Sequence, residues 1–131
     1  MTDIMFVCAH NAIRSQIAVA FFNHLKTQTG IKGVSAGITP APEVPQFVLD
    51  TMLEVGLDLS GITPVKISPE LTATVSTIIT LGCSDLLTPV PGVKTADWNI
   101  TFPKTVPAED ARKLRDGIEA KVKEFIAENN Y

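Results

Sequence analysis

The sequence predicts an α/β fold in which a parallel sheet is covered on both faces by helices. Three observations point there. The apolar run Ile4-Met5-Phe6-Val7 is short and uninterrupted, as suits a strand buried on both faces. The β-branched, apolar stretch from Thr74 to Leu81 repeats that character farther along. Around these strands lie segments whose apolar residues recur at helical spacing, and strands alternating with helices imply parallel pairing. In such sheets ligands bind beyond the carboxyl ends of the strands.

Composition agrees with a packed domain. Of 131 residues 45% are apolar and 19% charged, the reverse of the balance that keeps chains disordered. The length suits one domain, residues 1–131. Eleven Lys and Arg stand against 14 Asp and Glu, which argues against a broad nucleic-acid surface. No apolar run approaches the ~18–20 residues of a membrane span. The opening MTDIMFVC lacks the basic stretch and the length of a signal peptide. Two cysteines, Cys8 and Cys83, are too few for a disulfide framework, so a cytoplasmic location is expected.

The elements follow in order. After the first strand, the stretch Cys8 to Arg14 leads into a helix from about Ser15 to Gln28, with Ser15 as N-cap or first-turn hydroxyl and Gly30 as its stop. Six consecutive apolar residues, Ile17 to Phe22, require that helix to be deeply packed or to meet a partner. A second strand runs from about Gly33 to Ala36. A proline-rich loop then enters a helix from about Val44 to Val55, where Val44, Val48, Met52 and Val55 share a face and Gly56 ends it. Ser68-Pro69-Glu70 reads as a cap and a single helical turn. The third strand, Thr74 to Leu81, precedes a loop carrying Cys83, and a short fourth strand is expected near Ala96–Asn99. Pro107 introduces the last helix, with Glu109 and Asp110 at the positive end of its dipole and Leu114, Ile118, Val122, Phe125 and Ile126 as one stripe. Gly117 in mid-helix costs ~1 kcal/mol relative to Ala, which predicts close packing there.

The segment Cys8 to Ser15 carries the chemistry. A tight turn feeding a helix N-terminus aims successive N–H groups at an oxyanion. Arg14 at its far end offers a fork to two oxygens of a tetrahedral anion. The same positive surroundings favour thiolate over thiol, so nucleophile and anion site are one construction. The bland readings are a small buried hydrophobe for Cys8, a structural thiol for Cys83 and a packed or exposed side chain for His24. Trp98 reads as a core or rim residue beside the site, and Glu119–Lys123 as a solvated pair. His10 has no partner cluster that would make it a metal ligand.

Val7-Cys8-Ala9-His10-Asn11-Ala12-Ile13-Arg14-Ser15-Gln16 resembles the anion loop of the low-molecular-weight protein tyrosine phosphatases and of the arsenate reductases built on the same fold. Further ordered matches are Ser35-Ala36-Gly37, Glu54 to Ser60, and Arg112 to Ile118. The resemblance implies a three-layer sandwich with a four-stranded parallel sheet. It implies Cys8 as nucleophile, Arg14 as oxyanion clamp, and the stretch Ala9, His10, Asn11, Ala12, Ile13 and Arg14 as anion cradle. Asn11 would hold the loop in shape, Ser15 would donate to the thiolate, and Ser35 would pack beneath the loop. Gln16 and His10 lean towards the reductase branch.

Three departures stand out. Phe102 occupies the place of the family's general-acid Asp. Val19 replaces a Glu that serves the potassium site described for thioredoxin-coupled reductases, so no metal is expected. Cys83 matches the second reductase cysteine, but the following loop lacks a third. The reductase reading therefore uses no bound cofactor. It uses Cys83 or an external thiol (thioredoxin, glutathione, mycothiol or bacillithiol) to release arsenite. A Cys8–Cys83 bridge needs Cα atoms within ~7 Å or a moving loop. Two alternatives remain open: a phosphatase, for which Asp97, Glu109 or Asp110 would have to supply the missing acid, and a low-activity oxyanion binder.

Overall fold

The computed structural model describes residues 3–100 and 108–131. Four strands, β1 (Asp3–Cys8), β2 (Gly33–Gly37), β3 (Val75–Thr80) and β4 (Lys94–Asp97), form one sheet in the order β2-β1-β3-β4. Every pairing is parallel. The helices are α1 (Arg14–Leu25), α2 (Gln46–Leu53), the one-turn α3 (Pro69–Thr72) and α4 (Ala108–Asn129). Among the described residues no helix is long and apolar enough to cross a membrane.

The two faces of the sheet are covered unequally. Ile4, Phe6, Cys8, Ile79 and Leu81 point into a core completed by α1, α2 and α4. Phe6, Trp98 and Phe125 meet edge to face there, with ring centres 5.7 Å apart for Phe6–Trp98 and for Trp98–Phe125. Such pairs add ~0.5–1.5 kcal/mol beyond the area they bury. Met5, Val7, Ala36 and Ile78 point the other way, under Leu71 of α3 and the loops through Ile67 and Val90. Four of the six consecutive apolar residues of α1 (Ile17, Ala18, Phe21 and Phe22) are buried, and Val19 packs against the same core.

Boundaries differ from expectation for identifiable reasons. Helix α1 starts at Arg14, and its N-cap Ile13 offers no side-chain cap, so Ser15 is a first-turn residue. It ends at Leu25, because Lys26 turns extended (ψ 144) and the Thr27 hydroxyl donates to the Tyr131 carbonyl. Gly30 lies beyond that end and is not the stop. Helix α2 begins after Pro45, whose carbonyl accepts from Val48 N. It ends where Leu57 N returns to Met52 O, with Gly56 at φ +82 supplying the left-handed residue of that closure. Ser68 caps α3 by accepting from Leu71 N. Strand β4 lies earlier than expected, because Asp97 ends it and Asn99 adopts φ +53.

Gly117 corrects the sequence reading outright. It is exposed, and a Cβ placed there meets nothing within 4 Å, so helix packing does not require it. The docking of α4 comes instead from its apolar stripe and from Arg112 and Arg115, which grip Glu54 at the end of α2 at 2.7 and 2.8 Å. Arg115 also donates to the Thr51 carbonyl, satisfying one of the acceptors a helix end leaves open. Hydrogen bonds from Arg112 and then Arg115 hold the Glu54 carboxyl down to about 2.

Candidate active site in the turn after strand one

Strand β1 delivers Cys8 to the carboxyl edge of the sheet, and α1 begins six residues later. The intervening turn is held from outside by its carbonyls. Ala9 O accepts from Thr39 N (2.8 Å), His10 O from Ala41 N (2.9 Å) and Asn11 O from the Gln16 side chain (2.9 Å). His10, Asn11, Ala12 and Ile13, by contrast, donate no backbone hydrogen bond to another described residue. A turn whose acceptors are used and whose donors are left over is built to receive an anion.

Asn11 organises this turn from within. It takes φ +50, a conformation that Asn tolerates better than most residues. Its carboxamide is fully buried and used at both ends: Oδ1 accepts from Val65 N, and Nδ2 donates to the Ser15 hydroxyl. The Ser15 oxygen in turn lies 3.0 Å from the Cys8 sulfur. With Asn11 donating to that oxygen, the hydroxyl proton is available to the sulfur. Gly37 lets the turn settle on β2, since a Cβ there would sit 2.7 Å from Asn11 N.

Arg14 and His10 flank the opening. A cleft of ≈ 260 Å³ is walled by Cys8, His10, Ile13, Arg14, Ala41 and Pro45. The His10 Nδ1–H donates to the Thr39 carbonyl at 3.0 Å, which leaves Nε2 on the outer side of the ring. The Arg14 Nη1–H donates to the Ile100 carbonyl at 2.9 Å, which fixes the guanidinium while most of its five donors bond to no other described residue. Sulfur, hydroxyl, amides and guanidinium thus converge, an arrangement able to bind a tetrahedral oxyanion and attack it.

The other expected residues are placed as follows. Ser35 stands opposite Phe6 in β2, and its hydroxyl bonds to no loop group among the described residues; Gly37 is what touches the loop. Cys83 is buried with Met5, Val7 and Ile78 on the face opposite Cys8. Its thiol donates to the Val7 carbonyl at 3.4 Å, and burial raises its pKa above the ordinary thiol value, against a smaller lowering by a hydrogen bond with the Leu81 backbone and then by Arg14. Phe102 and Pro107 lie outside the described residues. Among the described residues no three His, Cys, Asp or Glu side chains gather as metal ligands.

Two participants escaped the sequence reading. Gln16 is fully buried and braces the loop through Asn11 O. Asp97, considered only as a candidate acid, has both carboxylate oxygens engaged: Oδ1 accepts from Thr80 Oγ1 (2.6 Å) and Gly82 N (3.0 Å), and Oδ2 from Asn99 N (2.9 Å). Only the last contact has a sequence signal, an Asp two residues before an Asn in a turn.

Residues 3–130 match the family described as Low molecular weight phosphotyrosine protein phosphatase. The chain belongs to that family. A glutaredoxin arsenate reductase of Synechocystis is 32% identical over 130 residues, covering 97% of this chain and 98% of the relative. The solved structure of a Corynebacterium glutamicum thioredoxin-dependent arsenate reductase superposes with a TM-score of 0.82 at 27% identity over 98% of this chain. This chain spans 61% of that longer one. An arsenate reductase solved in its phosphate binding state superposes with a TM-score of 0.79 at 30% identity, covering 98% of both chains.

Proposed function

We propose that this member of the family is a thiol-dependent arsenate reductase, with Cys8 as nucleophile and the turn from Ala9 to Arg14 as its oxyanion cradle. The convergence of the Cys8 sulfur, the Ser15 hydroxyl, the uncommitted loop amides and Arg14 at one cleft carries this reading. The names of the relatives support the substrate class and the use of a thiol partner.

The chemistry runs in two displacements. The Cys8 thiolate attacks As(V), forming an S–As bond while one arsenate oxygen leaves as water after protonation. Ser15 donates to the sulfur before attack, and Arg14 with the loop amides holds the remaining oxygens as charge shifts onto them. A second thiolate then attacks the Cys8 sulfur. The S–As bond breaks, its electron pair reduces arsenic to As(III), and a disulfide is left. Cys83 packs with the residues of the other face and its thiol donates to Val7 O, so to act it would have to leave that contact and turn towards Cys8. An external thiol entering the cleft needs no such movement.

Phosphate-ester hydrolysis would use the same nucleophile but benefits from an acid on the leaving oxygen, typically worth ~10²–10⁴ in rate. Asp97 is committed to three hydrogen bonds, and Glu109 and Asp110 belong to the first turn of α4. The deciding experiment supplies arsenate with thioredoxin or with a low-mass thiol and measures arsenite. Turnover that vanishes in Cys8→Ser is expected. Efficient cleavage of p-nitrophenyl phosphate with arsenate untouched would replace the reading with a phosphatase. Mass spectrometry of the arsenate-treated protein separates the resolving thiols, since a loss of two hydrogens marks a Cys8–Cys83 bridge.

A further inference from the structure

We infer that Asp97 is a positioning residue for Arg14, setting the guanidinium against the oxyanion from two strands away along the sheet's carboxyl edge. The inference builds on the proposed anion cradle. One carboxylate joins three pieces of chain: the end of β3 through Thr80 Oγ1, the turn after it through Gly82 N, and the turn after β4 through Asn99 N. Trp98 N adds a backbone bond to Thr80 O at 2.9 Å, so the exits of β3 and β4 form a single braced unit.

That unit is what Arg14 leans on. Asn99 takes φ +53, and the next carbonyl, Ile100 O, accepts from Arg14 Nη1. Gly82 supplies the room: its φ is +90, and a Cβ there would collide with Ile100 O and lie 2.7 Å from Arg14 Nη1. The carboxylate therefore fixes both walls of the slot that the guanidinium occupies, the Gly82 backbone and the Ile100 carbonyl. A flexible arginine tied down beforehand loses less side-chain entropy on binding, so the tether should appear as anion affinity. Asp97 does not touch the substrate in this scheme; it acts through Arg14.

The test is a double-mutant cycle read by binding of inorganic phosphate, supported by arsenate kinetics and by the Arg14 Nε–H NMR signal, assigned by its loss in Arg14→Lys. Asp97→Ala should weaken phosphate binding about tenfold, as expected for losing one good charge-assisted contact, and raise the arsenate KM more than it lowers kcat. Asp97→Asn keeps acceptors for only part of the set and should lose about threefold. In Arg14→Lys protein the same Asp97 substitutions should change phosphate affinity by less than about twofold. The Arg14 signal should shift or broaden in Asp97→Ala. Equal weakening in both backgrounds, unchanged affinity in Asp97→Ala, or an unmoved Arg14 signal would each overturn the inference. Phosphate binding decides this point even if wild-type protein reduces no arsenate, whereas wild-type protein that binds no phosphate overturns the cradle and the inference together.

Discussion

The turns leaving β1 and β3 start side by side, with Val7 paired to Thr80 and Leu81 N bonded to Val7 O, and each carries a buried cysteine. Cys8 is 2% exposed and Cys83 1%, so burial does not distinguish them. Their partners do. The Cys8 sulfur meets a hydroxyl able to donate, beside amides with no acceptor among the described residues. The Cys83 sulfur donates to a carbonyl, and its burial, the largest influence on it, favours the protonated thiol. Identical side chains at adjacent strand ends thus meet opposite surroundings, a hydroxyl able to donate at Cys8 and an accepting carbonyl with burial at Cys83.

The comparison breaks most sharply at Ser15. Ser15→Ala removes the donor to the Cys8 sulfur and leaves the Asn11 amide without its acceptor, so the proposed turnover should fall by about 10–10²-fold, measured as kcat/KM for arsenate. An unchanged rate would mean that the hydroxyl does not prepare the sulfur. A gentler probe is alkylation of Cys83 in Cys8→Ser protein. Thiolate is the reactive form, and burial raises the Cys83 pKa, so its modification by iodoacetamide should rise only at a pH above that of the same cysteine in the urea-unfolded chain. A profile matching the unfolded chain would show that the turn opens freely. The smallest effect is a control outside both turns. Gly117→Ala should raise stability by about 0.4–1 kcal/mol in urea unfolding while leaving arsenate kinetics unchanged, because nothing opposes the added methyl.

Legibility tracked sequence distance. The nest after the first strand could be read because its residues are consecutive: the amides, the sulfur, Ser15 and Arg14 all lie within one turn and the start of one helix. The helix stripe through Leu114, Ile118 and Val122 was readable for the same reason. The packing expected at Gly117 failed because propensity describes the cost of a glycine and not what stands opposite it. The close approach of Gly37 to Asn11 was not readable either, because it depends on the pairing of β2 with β1. The latch at Asp97 joins residues 15 and 17 positions apart through the β3–β4 register, which no local pattern encodes.

From its order of residues alone this chain specified alternating strands and helices, and a turn whose composition suits an oxyanion, since both follow from short-range backbone geometry. Tertiary structure decided which way each functional group faces. Strand alternation carries Ile79 and Leu81 to the face of Cys8, and it would carry Cys83 there too. Gly82, at φ +90, breaks that period of two and sends the sulfur to the other side. Likewise Arg14 is only a flexible cation until a carbonyl 86 residues away fixes it, because long side chains take their direction from what they pack against.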